Sequence, residues 1–248
     1  MKLPTNFMGI STEEAYKKYL EKPEEERKPR ENRRPIPSTV PNSNSYLILP
    51  GNQHGSYEYP DLLVSTERTH QGRNWNQAHE LLKQEDGFML NIRQYVDFLK
   101  MLKSGNAFDG SGNKVDPSRL STILEDIIAV RSPWRAEWLD AKFSSEGTLR
   151  KKWHVEYHNA QGNPIKEELE DCLRSDKRPG IDLDYWLNNA TNQGLPPKNN
   201  DNGSLYYWHP RNGKVAWFYA FSDRADLGCY WDPSDSVAGL GVRFAREK

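Results

Sequence analysis

At 248 residues, with 34 Lys and Arg against 35 Asp and Glu for a formal net charge of -1, the chain can bury a core without staples. It also lacks the basic excess that phosphate-driven nucleic-acid binding demands. No apolar run approaches the roughly 18 residues of a membrane span, and Met1–Ile10 is too polar for a signal peptide. The expectation is a soluble chain without membrane insertion, either cytoplasmic or displayed on a virion or cell surface through a partner.

Residues 1–40 read as a flexible charged, proline-rich arm. A short helix can be drawn over Ser11–Leu20, with Ser11 or Thr12 as N-cap. The charged run from Glu21 to Arg30, followed by Pro35, Pro37 and Pro41, cannot bury enough apolar surface to fold. A folded domain is expected over 41–248. It opens with a strand at Tyr46–Leu49 stopped by Pro50-Gly51, then a short apolar stretch at Asp61–Val64 and a polar loop through Gly72. Asn74 caps a helix from Trp75 to Gln84. Asn91 caps another, in which Ile92, Tyr95, Val96, Leu99 and Leu102 recur at helical spacing up to Lys103. A third helix runs from Pro117 to Val130, with Asp116 as N-cap and Pro117 at its first position. After Pro133 the period shortens to two. Trp134–Phe143 and Trp153–His158 read as a strand pair, with a turn at Gln161–Pro164. Glu167–Leu173 and Asp182–Ala190 read as helices, and Gly194–Gly203 as a loop. Strands follow near Leu205–His209, Lys214–Phe221, Ala225–Trp231 and Leu240–Ala245. Helices first and antiparallel strands last make an α+β chain.

Signatures of catalysis are sparse. His154-x-Glu156-x-His158 would place three metal-type ligands on one face of a strand, but Trp153, Val155 and Tyr157 make an equally good buried face that leaves the histidines in solvent. His-x-Glu opens the zinc deaminase signature, yet the Pro-Cys-x-x-Cys half is missing. No Gly-x-Ser-x-Gly, phosphate-cradling glycine loop or dinucleotide fingerprint occurs. Asp182 and Asp184 are explained by capping and dipole compensation. Cys172 and Cys229 are too few for a disulfide framework; they read as separate buried thiols or as one bridge. No cofactor and no metal are expected.

The carboxyl end is different. From Val215 the pattern alternates, with Trp217, Tyr219, Phe221 and Asp223 on one face and Ala216, Phe218, Ala220 and Ser222 on the other. Trp208, Trp217 and Phe218 also suit a core. Tyr219, Phe221, Tyr230 and Trp231 have the wrong parity or acidic neighbours for one. Aromatics mixed with Asp223, Arg224, Asp226, Asp232 and Asp235 fit a contact surface.

In these residues the chain resembles the variable proteins of diversity-generating retroelements, found in phages, bacteria, archaea and their viruses. The match follows Val215-Ala216-x-Phe218-x-Ala220-x-Ser222-x-x-Ala225-x-Leu227-x-Cys229, then Pro233, Ser236 and the ending Leu240-Gly241-Val242-Arg243. The resemblance implies a C-type lectin-like domain of the formylglycine-generating-enzyme subtype. It would have two main helices (Ile92–Lys103 and Asp182–Ala190), an inserted helical segment over roughly 105–175 and a C-terminal antiparallel sheet. It implies a variable ligand-binding set comprising Trp217, Tyr219, Phe221, Asp223, Arg224, Asp226, Gly228, Tyr230, Trp231, Asp232, Ser234, Asp235, Val237, Ala238 and Gly239. The scaffold holding them would be Phe218, Ala220, Ser222, Ala225, Leu227, Cys229, Leu240, Gly241, Val242 and Arg243. Calcium-dependent sugar binding is not implied, because Trp231-Asp232-Pro233 does not reproduce the sugar-binding motif. The expected function is non-enzymatic recognition of a protein or other cell-surface macromolecule. The alternatives are a metal-dependent enzyme on the same fold, with His154, Glu156 and His158 as ligands, and a virion attachment module.

Overall fold

The computed structural model describes residues 6–7, 10–11, 43–147, 151–200 and 202–248. Contacts divide the chain into two units, Met1–Val40 and Pro41–Lys248. In the first, β1 (Asn6–Phe7) pairs antiparallel with β2 (Ile10–Ser11). The helix expected over Ser11–Leu20 lies outside the described residues except for Ser11, which belongs to β2.

In chain order the second unit contains β3 (Tyr46–Leu49), β4 (Asn52–His54), β5 (Tyr57–Tyr59), β6 (Leu62–Thr69), α1 (Trp75–Gln84), β7 (Phe88–Met89) and α2 (Ile92–Ser104). It continues with β8 (Phe108–Asp109), α3 (Pro117–Ile128), β9 (Arg135–Glu146), β10 (Lys152–His158), β11 (Pro164–Glu168) and β12 (Lys177–Ile181). Last come α4 (Leu183–Asn189), β13 (Leu205–Trp208), β14 (Val215–Ala220), β15 (Ala225–Trp231) and β16 (Leu240–Glu247). Local chemistry sets the helix starts. The Asn74 and Asn91 side chains accept from the backbone N–H of Gln77 and Gln94, whose amide oxygens accept in return from the N-cap N–H. Each box satisfies two otherwise orphaned donors. Asp116 and Asp182 cap α3 and α4, and Gly105, at φ 66°, ends α2 in the left-handed conformation that favours glycine.

Twelve strands form one mixed sheet, ordered β12-β13-β15-β14-β9-β16-β6-β3-β8, with β10 and β11 continuing from β9 and β7 joining β16. The expected C-terminal antiparallel sheet is therefore corrected: β13 runs parallel to β15 and β16 parallel to β9. The stretch 105–175, expected as a helical insertion, contributes among the described residues a single helix, and its β9 lies between β14 and β16 within the sheet. Glu167–Leu173 is not helical. Asn159 accepts from the N–H groups of Gln161 and Asn163, and the turn it fixes lays Pro164–Glu168 against β10. Hairpin pairing overrides the weak helical period. Likewise, β6 extends through the expected polar loop to Thr69 because β16 pairs with it.

The sheet has a core on each face. The larger unites α2, α3 and α4 with Leu139, Phe143, Ala216, Phe218, Ala220, Leu227 and Cys229. The smaller gathers Trp75, Ala78 and Leu82 of α1 over Trp138, Val215, Trp217, Leu240 and Val242. Cys172 and Cys229 are both free and buried. A charged cluster pins β16 to β9 beneath the sheet's centre. Arg243 Nε donates to Glu137 Oε2 at 3.0 Å, Tyr95 Oη to Glu137 Oε1 at 2.7 Å, and Arg243 Nη1 to the Ser65 carbonyl at 2.8 Å. Burial alone would raise the Glu137 carboxyl, but Arg243 and Arg135 outweigh it and hold it at about 2.

Candidate functional site

Strand β14 projects Trp217 and Tyr219 from the smaller-core face, and Phe221 follows in line. Their rings stack at centroid distances of 4.8 Å for Trp217–Tyr219 and 5.7 Å for Tyr219–Phe221. Trp231 of the neighbouring strand lies 4.0 Å from Trp217, and Trp134 lies 5.4 Å from Tyr219. Tyr230 meets Trp208 at 5.2 Å and Trp231 edge-on at 5.9 Å. Adjacent residues of a regular strand point to opposite faces, so Tyr230 and Trp231 should not both join this cluster. A bulge explains it. Val215 pairs with Trp231 and Trp217 with Gly228, so two steps on β14 span three on β15.

The expected outward strip proves to be layered. Tyr219, Phe221, Arg224, Tyr230 and Trp231 are half-buried, while Asp223, Ser234, Asp235, Val237 and Ala238 are exposed. Trp217 is only 3% exposed, correcting the expectation that it faces solvent; Trp138, Tyr219 and Trp231 close over it. Gly228 is buried beneath that indole, where a Cβ would come within 2.1 Å of Trp217 Nε1. Asp226 is 1% exposed, again against expectation. Burial pushes its carboxyl up to about 7, the nearby Arg224 guanidinium offsetting only part of the cost. Arg224 bridges Asp223 at 3.0 Å and lies over the rings of Tyr206 and Phe221. The indole N–H groups of Trp217 and Trp231 are buried and make no hydrogen bond.

Beyond β15 the chain turns on Asp232, which accepts from the Ser234 N–H and hydroxyl and pairs with Lys214 at 2.8 Å. Those partners, Lys214 foremost, hold its carboxyl well below the usual range. The loop is tied at both ends. The Pro233 carbonyl accepts from the Trp75 N–H, and the Gly239 carbonyl from Arg68 Nη1 and the Ala136 N–H. Behind the surface, Phe218, Ala220, Ala225, Leu227, Cys229, Leu240, Gly241, Val242 and Arg243 are all buried. Ser222, expected among them, instead sits exposed in the turn between β14 and β15.

No family model, curated protein or solved structure matches this chain.

A second cluster lies across β9. Asp140, fully buried, faces His158 Nδ1 at 3.0 Å and His79 Nε2 at 3.2 Å. The structure thus joins His158 to His79 and Asp140 and leaves His154 and Glu156 outside the group, correcting the strand-based triad. Positions 79, 140 and 158 are brought together by tertiary structure alone, and no spacing rule could have linked them. Trp134 and Trp138 were missed as supports of the aromatic surface for the same reason. A cavity of about 380 Å³ adjoins the two imidazoles. Among the described residues no helix is long and apolar enough to cross a membrane.

Proposed function

We propose that this chain is a receptor-type binding protein whose contact surface is the aromatic set on β14 and β15 together with the loop to Gly239. On this reading the domain is C-type lectin-like, the stretch from Trp217 to Gly239 is diversified by a retroelement, and recognition proceeds without catalysis. The observation that carries it is the two-faced construction of β14 and β15. On one side the half-exposed rings of Tyr219, Phe221 and Trp231 stack over and around the buried Trp217, while every apolar residue of the opposite side is sealed into the larger core. Large, rigid aromatics provide contact area at little conformational cost. An aromatic strip running over two strands and a loop fits a protein or other cell-surface macromolecule better than a small molecule.

Two experiments test the reading. Against a target selected from a surface-protein panel, Tyr219→Ala combined with Trp231→Ala should weaken binding at least tenfold while circular dichroism stays unchanged; unchanged affinity refutes the assigned surface. The neighbouring DNA should hold a reverse transcriptase gene and a near-copy of the 3′ coding stretch that differs at adenines. Its absence removes the retroelement part of the proposal.

A further inference from the structure

We infer that His79, Asp140 and His158 bind a divalent transition-metal ion, with coordination positions open to the adjoining cleft. The three side chains come from α1, β9 and β10, and their ligand atoms all lie within 4.8 Å of one another. This inference stands apart from the aromatic surface and needs no part of that reading.

The carboxylate is set in advance. The His158 backbone N–H donates to Asp140 Oδ2 at 2.6 Å, which fixes the carboxylate plane and leaves Oδ1 turned toward both imidazoles. An outer-shell bond of this kind is what orients a ligating carboxylate. The second observation is the buried His79 Nε2. It lies 3.2 Å from Asp140 Oδ1, outside good hydrogen-bond geometry, and its pull still helps to hold the Asp140 carboxyl low. Asp140 Oδ1 already has His158 Nδ1 at 3.0 Å, and His79 Nε2 converges on the same oxygen as a second imidazole, the arrangement that a shared cation would hold together. Two of the three separations, 3.0 and 3.2 Å, are close to the edge, about 3.3 Å, of a tetrahedron with metal–ligand bonds of roughly 2.0–2.1 Å; the two imidazole nitrogens, within 4.8 Å of each other, reach that spacing by rotation of a ring as the ion enters. His79 is held in place by Trp75, whose ring meets it edge-on at 4.2 Å and whose indole N–H donates to the Leu139 carbonyl.

Two imidazoles and one carboxylate, with no thiolate, form a donor set suited to zinc or ferrous iron rather than to calcium or magnesium. Asp140 lies behind and both histidines line the cleft wall beside Glu80, Lys83 and Gln161. Three protein ligands on one side and open space on the other is the arrangement of an ion that can take an exogenous ligand.

The test uses the full chain, free of any histidine tag and stripped with a chelator. Cobalt titration followed by visible absorption, with zinc calorimetry in parallel, should give one ion per chain and a raised melting temperature. His79→Ala and His158→Ala should each weaken uptake at least tenfold, whereas His154→Ala should leave it unchanged. If His158→Ala fails to fold, His79→Gln, on the half-exposed side of the cluster, decides the matter by the same readouts. Failure of the wild-type chain to take up one ion, uptake unchanged in the His79 variants, or loss on His154→Ala would each overturn the assignment.

Discussion

On β14, Ala216, Phe218 and Ala220 pack into the larger core, where Phe218 meets Tyr95 at 5.5 Å and Trp186 at 6.5 Å. One residue away on the same strand, Trp217 and Tyr219 stack toward the margin of the smaller core with Trp231 and Phe221. Both faces are aromatic, so composition does not separate them. What separates them is cover: three helices close one side, whereas α1 reaches only part of the other. An aromatic ring thus serves as core or as surface according to which layer stands opposite, and strand parity decides which layer that is.

The contrast can be broken most severely from the sealed side. Phe218→Ala should cost about 3–5 kcal/mol, through lost burial and the cavity left between Tyr95 and Trp186. Urea unfolding measures it, and a loss below about 1 kcal/mol would mean that the two faces are equivalent. The next effect concerns Asp226, sealed beneath the aromatic side. Its carboxyl stands at about 7 in the folded chain against an ordinary value of 3.8. A raised folded value means that the favourable contribution is complete below about pH 3.8 and is lost as pH rises through about 7. At about 1.4 kcal/mol per unit the swing amounts to a few kcal/mol. The stability difference between the wild-type chain and Asp226→Asn, followed by urea midpoints from acid to neutral pH, should move against the wild type on raising pH. A flat difference would show that Asp226 is hydrated.

Gly228→Ala probes the floor of the same side. The added methyl collides with the Trp217 indole, and overpacking of this kind costs about 1–3 kcal/mol. Tryptophan emission should shift to the red as the ring is displaced; unshifted emission would place the strain elsewhere. The smallest effect belongs to the outer layer. Tyr219→Ala should cost about 1 kcal/mol, the scale of a lost stacking contact at a half-exposed site, with the melting curve remaining cooperative. A loss as large as that of Phe218→Ala would dissolve the distinction drawn above.

Local signals in the sequence were readable because their causes are local. Asn74 and Asn91 announce helix starts by standing three residues before Gln77 and Gln94, and Asp116-Pro117 does the same for α3. The alternation from Val215 to Phe221 assigns β14 its two faces, although burial of Trp217 depends on Trp138 and Trp231, which arrive from other strands. The β11 hairpin was hidden because Glu167–Leu173 carries a helical period that only pairing with β10 overrides. Position in the sheet was hidden too: nothing in Arg135–Glu146 tells that β14 and β16 will flank it. The meeting of His79, Asp140 and His158 belongs to the same class, since it depends on the docking of α1 across β9 and β10.

The bulge opposite Ala216 carries a consequence of its own. The outward parity of everything beyond it is set by counting residues between Gly228 and Trp231, not by which residues they are. Exchanging one side chain for another along β15 keeps that count. Removing one codon there would erase the bulge and keep Trp231 opposite Val215 with one side chain fewer on the surface, whereas adding one would push Trp231 out of register with Val215. The geometry of this segment therefore depends more strictly on its length than on its letters.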